Sequence, residues 1–465
     1  MPWTLSLVCR SWAHVARRSS SLWLAGVPLV DLTASSSRNR NQKLLLRVER
    51  SRNRPLRVAI NARESSTGGR IGGRTLLALQ QALLARSRQW TELSMELAIW
   101  PLRALRVGAF NLSSLKYVHF AGRLCPNGLE PFSSQYTRAV STTIGNMLSH
   151  APSLQQLALD HLGDCSIGSV PKMLSLFEYQ SRSTALCSHL AVLKASPHLR
   201  HASIQCGHVE CCHHRADFLL SSSSLAPHKY LITLCLSVDE WGTFDETKQS
   251  RLDGMQHLLK SLTLPSLKNL IVSEGRDTRP NRIVFGVLTD IRYLLLRSNC
   301  ELDSFVFQSF AACHLLSSII KSQRNLKEIS LHMRNLLSLP NLLPAIQACL
   351  TLRRLELFSL DHPIEQYDAS YFQPVAAMLA LMRSRKVSVA FDEPLHAFWR
   401  RSPSYTREFP SNHGDTDRWQ RTHFYFGVLS GLWERRNATE QQSLLSDSID
   451  FRSWDCKKDY ECALC

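Results

Sequence analysis

Two stretches of this sequence crowd together residue types that could do chemistry. The first is Gly68-Gly-Arg-Ile-Gly-Gly73-Arg74-Thr75, which fits the spacing of a phosphate-binding loop if Arg74 takes the place of the usual lysine. It lies between a strand-like Leu56-Arg-Val58-Ala-Ile60 and a helical Leu76 to Leu84. Such a loop wraps phosphates in backbone N–H groups while a lysine ammonium reaches the β/γ oxygens and a Ser/Thr hydroxyl holds magnesium. The wide arginine fork replaces that compact charge poorly, and no apolar strand ending in Asp serves convincingly as the magnesium partner. The expectation is a flexible loop before a helix. The second stretch, Cys206-Gly-His208-Val-Glu-Cys211-Cys212-His213-His214, packs six soft-metal ligands into nine residues. A tetrahedral zinc site could be drawn from Cys206, His208, Cys211 and His214, but no second ligand pair follows at the usual distance. A reduced loop insertion is the reading preferred over zinc, and whether zinc binds stays open. Cys456, Cys462 and Cys465 offer three ligands at most.

Neither Gly-x-Ser-x-Gly nor His-Glu-x-x-His occurs, so the familiar frames for a serine nucleophile and a zinc hydrolase are absent. Asn111-Leu-Ser113 and Asn437-Ala-Thr439 match glycosylation acceptors by chance, with no secretory signal ahead of them. The sequence predicts no catalytic residue, no cofactor and no metal, and hence a protein that is not an enzyme.

The elements that must carry these residues follow from composition and repetition. The 465 residues are 44% hydrophobic, enough for a substantial core. The 55 Lys and Arg against 38 Asp and Glu give a formal charge of +17, spread as scattered arginines rather than one basic run. Nucleic acid is therefore permitted as a partner but not indicated. Fourteen irregularly placed cysteines in so long a chain argue against a disulfide scaffold and for a reducing cytosol or nucleus. No run of 18 apolar residues appears, so no membrane span is expected. The arginine- and serine-rich start, without an acid before Asp31, also permits a mitochondrial presequence.

The pattern Leu-x-x-Leu-x-Leu, with aliphatic or aromatic substitutes, returns through most of the chain. Its instances are Leu102/Leu105/Val107, Leu115/Val118/Phe120, Leu154/Leu157/Leu159, Leu199/Ala202/Ile204 and Leu231/Leu234/Leu236, then Leu267/Leu270/Val272, Ile291/Leu294/Leu296, Leu302/Phe305/Phe307, Leu326/Ile329/Leu331 and Leu352/Leu355/Leu357. The last two positions of each triplet face the same way on an extended strand. Helical spacing precedes many of them: Val140, Ile144 and Leu148; Leu186, Leu190 and Leu193; Met255 to Leu262; Leu315 to Ile320; Leu342 to Ala348. Pro152, Pro197 and Pro265 mark the joints, because proline disfavours helical geometry in the residue before it. One such unit cannot cover its own apolar face, so the units must stack. The expected fold is α/β: an irregular leucine-rich-repeat solenoid with parallel strands on one face and helices on the other. Triplets start from 11 to 45 residues apart, which predicts insertions in the long steps and triplets that are not separate repeats in the short ones.

The opening residues place Leu5, Val8, Trp12 and Val15 on one helical stripe. There, Leu7-Val8-Cys9-Arg10-x-Trp12 followed by Leu22-Trp23 resembles the C-terminal half of an F-box. The stretches Leu44 to Ser51, Pro55 to Ile60 and Ser87 to Leu93 are similar to the region after the F-box in fungal F-box proteins with irregular leucine-rich repeats. The resemblance implies a cullin-RING ubiquitin ligase adaptor in which Leu7, Val8, Cys9, Trp12, Leu22 and Trp23 bind the small subunit bridging to the cullin, while the repeats bind a protein substrate. An F-box opens with a Leu-Pro-x-Glu-Ile-type helix, whereas only Met1 to Thr4 precede the match. Either the sequence starts downstream of that helix or the ligase link is lost and the repeats are kept.

The expected organisation is a partial F-box-like helical segment at 1–25, a linker with the first irregular repeats at 26–100, a leucine-rich-repeat solenoid at 101–397 and a C-terminal cap and tail at 398–465. The expected function is substrate recognition for a cullin-RING ligase in the cytoplasm or nucleus. The alternatives are a protein-binding repeat scaffold without ligase docking and a basic nucleic-acid-binding protein.

Overall fold

In a computed structural model of the chain, the described residues are 29–31, 54–61, 85–97, 110–122, 134–163, 167, 170–184, 186–206, 227–238, 246–274, 284–308, 313–333, 339–359, 381–382 and 384–391. All belong to the first of two units, residues 1–402; the second, 403–465, lies outside the described residues.

Thirteen strands form a single sheet in strict chain order: β1 (Leu29–Asp31), β2 (Leu56–Asn61), β3 (Trp90–Leu97), β4 (Tyr117–Gly122), β5 (Gln156–Gly163), β6 (Glu178–Thr184), β7 (His201–Cys206), β8 (Thr233–Val238), β9 (Asn269–Glu274), β10 (Ser304–Gln308), β11 (Glu328–Met333), β12 (Arg354–Ser359) and β13 (Ser388–Phe391). Every neighbouring pair is parallel. Between them run α1 (Ser134–Ser149), α2 (Leu186–Ala195), α3 (Glu246–Ser261), α4 (Val284–Ser298), α5 (Cys313–Ser322) and α6 (Leu339–Ala348). Among the described residues no helix is long and apolar enough to cross a membrane.

The register shows why these segments pair as they do. Leu93, Val118, Leu157, Tyr179, Ala202, Leu234, Leu270, Phe305, Ile329 and Leu355 stand opposite one another across successive strands. Two residues on, Met95, Phe120, Leu159, Ser181, Ile204, Leu236, Val272, Phe307, Leu331 and Leu357 do the same. All twenty are buried. A slip of one residue would turn a strand's apolar pair to the other face, so the period-two pattern itself fixes the register.

The first leucine of most described triplets closes a tight turn, whereas the Leu302 N–H donates to the Gln323 side-chain oxygen at 2.9 Å instead. The Leu154 N–H donates to the Ala151 carbonyl, Leu199 to Ser196 and Leu267 to Leu264, each at 3.2 Å. Pro152, Pro197 and Pro265 occupy the second position of these turns, where a fixed φ near −65° is favourable. One carbonyl per turn then accepts two N–H groups from the next turn. The Lys116 carbonyl takes Gln155 and Gln156 at 2.8 and 2.9 Å, and the Lys327 carbonyl takes Arg353 and Arg354 at 2.7 and 3.0 Å. A hydroxyl just before the leucine repeats this linkage through its side chain: Ser175 donates to the Pro152 carbonyl at 3.0 Å, Ser266 to Lys229 at 2.6 Å and Thr351 to Arg324 at 3.3 Å.

The structure corrects two readings of the repeats. Ile291, Leu294 and Leu296 are not on a strand but inside α4, where Val287, Leu288, Ile291, Leu294 and Leu295 make the buried stripe and Leu296 is exposed. An apolar run at spacings of three and four over fifteen residues is a helix, whatever triplet it also contains. Conversely, the 45-residue step from Leu154 to Leu199 hides β6, whose turn leucine is Leu176 and whose core positions are Tyr179 and Ser181. With both changes, intervals in the first ladder run from 22 residues, between Leu157 and Tyr179, to 39, between Val118 and Leu157. Leu102/Leu105/Val107 lies outside the described residues, as do the glycine loop 68–75, the helical 76–84 and Cys456 to Cys465.

Helices pack behind the sheet and are tied together at their ends. The Arg297 guanidinium, near the end of α4, donates to the Leu259 carbonyl at 2.8 Å and to the Leu262 carbonyl, capping the exposed end of α3. Arg385 does the same for α6 through the Gln347 carbonyl at 2.8 Å. These carbonyls have no helical partner of their own, and a cation near them also complements the helix dipole. Arg297→Ala is therefore expected to lower stability by about 1 kcal/mol, measured by urea denaturation, with Arg297→Lys recovering only part because a single ammonium cannot span both carbonyls.

Candidate functional site

On each strand the residues flanking the core pair point away from the helices. In register, they form rows across the outer face of the sheet, and the rows divide into two sectors. From β2 to β7 the outer residues are mostly polar, with Ala59, Ala121 and Ala158 set among them. From β8 to β10 the central row is Cys235, Ile271 and Val306, apolar and closed off from solvent.

The polar sector is densely bonded. Arg57 on β2 pairs with Glu92 on β3 at 3.0 Å. Ser94 on β3 bonds His119 Nδ1 on β4 at 3.2 Å, and His119 Nε2 contacts Asp160 on β5 at 2.8 Å. Gln156 and Gln180 each donate a side-chain amide proton to one oxygen of Glu178, at 2.9 and 2.8 Å. Tyr117 lies among these acids. Its hydroxyl is pushed up to about 12, first by burial and then by Asp160, Glu178 and Glu92, so it remains a neutral donor.

Ser94, His119 and Asp160 have the order of a nucleophile, a base and an orienting acid. Among the described residues, their setting lacks the rest of such a site. They sit inside three neighbouring strands, and each strand pairs on both sides, so the backbone N–H groups beside Ser94 are committed to the sheet and leave no pair for an oxyanion. The cluster orients a polar surface. Cys235 is equally unsuited to nucleophilic work, because burial pushes its thiol up to about 12 against the smaller opposing effect of a hydrogen bond with Ser203.

Glu178 gives this surface a pH signature. Burial raises its carboxyl above the ordinary value of 4.5, against the lowering effect of the Gln180 and Gln156 amides. The folded protein thus holds that proton more tightly than the unfolded chain. Its stabilising contribution is full below about 4.5 and is lost as pH rises through the folded value. Urea midpoints measured from about pH 4 to 8 are expected to fall less steeply for Glu178→Gln than for the parent, with the variant the more stable at the upper end.

Leu7, Val8, Cys9, Trp12, Leu22 and Trp23 lie outside the described residues, as do His208, Cys211 and His214. Cys206 is the last residue of β7, opposite Thr184 and Val238. Asn111 makes a local turn: its Oδ1 accepts the Ser113 N–H at 3.3 Å, and its own N–H donates to Ser87 Oγ at 3.0 Å. Sequence reasoning missed the Ser94–His119–Asp160 chain because β3 had not been counted as a repeat. Trp90-x-x-Leu93-x-Met95 carries the triplet pattern, and aligning it would have placed Ser94 beside His119.

Compared with protein-family models the chain matches none, and compared with curated proteins it likewise matches none.

Proposed function

We propose that this chain is a non-enzymatic leucine-rich-repeat solenoid that recognises a protein partner on the outer face of its sheet. In this reading its F-box-like start, through Leu7, Val8, Cys9, Trp12, Leu22 and Trp23, delivers that partner to a cullin-RING ubiquitin ligase. The observation that carries the recognition half is the unbroken chain-order pairing of strands from β1 to β13. It sets side chains from many units in continuous rows, which is how stacked repeats build an extended binding surface. The hydrogen-bonded polar groups from Arg57 to Gln180 suit a partner surface with complementary charges, since such groups fix register and reject mismatched partners. The ligase half rests on the Leu-Val-Cys-Arg-x-Trp and Leu-Trp residues alone.

The test is co-precipitation of the purified small adaptor subunit with the full chain. The parent is expected to capture it, and Trp12→Ala to reduce capture at least tenfold, because removing a large apolar anchor from an interface centre typically costs about 2 kcal/mol or more. A parent chain that captures no adaptor would overturn the ligase half, leaving a repeat scaffold without ligase docking.

A further inference from the structure

We infer that the turn edge of the sheet, where the strands begin, binds single-stranded nucleic acid, holding phosphates on a row of exposed cations and a base on the His198–Tyr230 ring pair. This goes beyond protein recognition on the outer face and does not rest on it.

The residue after each turn leucine belongs to one hydrogen-bonded line that runs from turn to turn, from Thr91 to Ser388. Five of these residues are exposed cations: Lys116, Arg200, Lys268, Lys327 and Arg353. At ~4.8 Å per strand, the row from β4 to β12 extends for about 40 Å. The turns themselves add Lys229 and Arg324, also exposed. The acids described on this edge are Glu301 and Asp303, and Lys327 engages Asp303 at 3.1 Å. Among the described residues, Lys116, Arg200, Lys229, Arg324 and Arg353 have no acidic side chain paired with them. The outer face is mixed in charge, with Glu92, Asp160, Glu178, Glu328 and Glu356 along its rows beside Arg57, Arg182 and Arg354, and there Arg57 and Arg354 are paired with Glu92 and Glu356. Charge that looks scattered in the sequence is thus sorted by the fold, and a cationic line is what a phosphate backbone requires.

The aromatic component is local. His198 and Tyr230 hold equivalent places in successive turns, each just before the turn leucine, with ring centroids 5.1 Å apart and planes tilted by 51°. Tyr230 is 50% exposed. Arg200 follows His198 by two residues, and Lys229 directly precedes Tyr230. An exposed ring pair between two cations offers a base a stacking surface and its flanking phosphates a charge on either side. Duplex bases are already stacked and cannot use it. An acidic peptide would use the cations without the rings, and an anionic membrane would use the cations with exposed Leu174 and Leu350.

The experiment is fluorescence anisotropy of a labelled oligouridylate and a labelled oligothymidylate with the full chain, from about 50 to 300 mM KCl. Binding is expected to weaken linearly in log–log form with a slope of about −2 to −4, as three to five neutralised phosphates would give at ~0.7 each. Arg200→Glu with Lys229→Glu is expected to weaken binding at least tenfold and flatten the slope. Tyr230→Ala is expected to weaken it about tenfold at unchanged slope, and Tyr230→Phe to restore it. Arg292→Glu, an exposed change on α4, should stay within twofold of the parent. All sites are exposed, and circular dichroism melts confirm folding of each variant. No binding at the lowest salt, Tyr230→Ala within twofold of the parent, equal loss with Arg292→Glu, or tighter capture by phosphatidylserine vesicles than by either oligonucleotide would each overturn the inference.

Discussion

Phe305→Ala is expected to destabilise the protein by about 3–5 kcal/mol, read as a lower urea midpoint. Phe305 is fully buried in the first core ladder, between Leu270 and Ile329 on the neighbouring strands, and its ring stacks on Phe307 with centroids 6.1 Å apart. The strands on both sides are fixed by paired backbone bonds, so they cannot close over the space a phenyl ring leaves. The cost is then lost transfer energy plus an unfilled cavity. Leu350→Ala supplies the contrast. Leu350 lies in the turn before β12 and is 75% exposed, so its removal is expected to change stability by no more than about 0.5 kcal/mol. A hydrophobic residue in this chain matters according to its place in the ladder and not its type.

The second large effect concerns the one aromatic hydroxyl in that ladder. Tyr179 stands where Leu157 and Ala202 stand on the adjoining strands, fully buried, and its hydroxyl meets His189 Nδ1 of α2 at 2.9 Å. The rings meet edge to face, centroids 6.0 Å apart. Tyr179→Phe is expected to cost about 1–3 kcal/mol, because it strips a buried imidazole nitrogen of this partner while hardly changing the packing. Adding His189→Leu removes the stranded group, so the double variant is expected to recover most of the loss, since replacing both partners by apolar groups of similar shape can be nearly neutral. A double-mutant cycle of urea midpoints reads the coupling directly. Additive losses would show that the hydrogen bond contributes nothing.

This pair also explains what the sequence could and could not disclose. The core was legible wherever both ladder positions were aliphatic or phenyl, as at Leu157/Leu159, Leu234/Leu236 and Phe305/Phe307, because apolar residues two apart leave few alternatives to a one-sided strand. It was illegible at β6, where the positions are Tyr179 and Ser181: the polar atoms found partners inside the fold, and partners distant in sequence leave no local pattern. It misled at Ile291/Leu294/Leu296, where a triplet and a helical stripe coincide and only the length of the apolar run separates them. The candidate site was harder still. His119, Gln156 and Glu178 are the variable positions of a repeat and gain meaning only once register sets them beside Ser94, Asp160 and Gln180. Surface chemistry here comes from alignment between units, which a motif search within one unit does not detect.

Consecutive units stack in chain order, so that outward side chains from successive strands become neighbours. Thr233 on β8 and Asn269 on β9 stand opposite each other, half-buried, with their side chains 3.1 Å apart. A chain carrying Thr233→Cys and Asn269→Cys is predicted to form a disulfide between these two positions on mild oxidation, identified by mass spectrometry of an unreduced digest. One carrying Thr233→Cys and Ser304→Cys, two strands and ~10 Å apart, is predicted not to, because thiols whose Cα atoms lie beyond about 7 Å cannot be bridged. A link in the second variant, or none in the first, would contradict the stacking on which the outer face and the turn edge both depend.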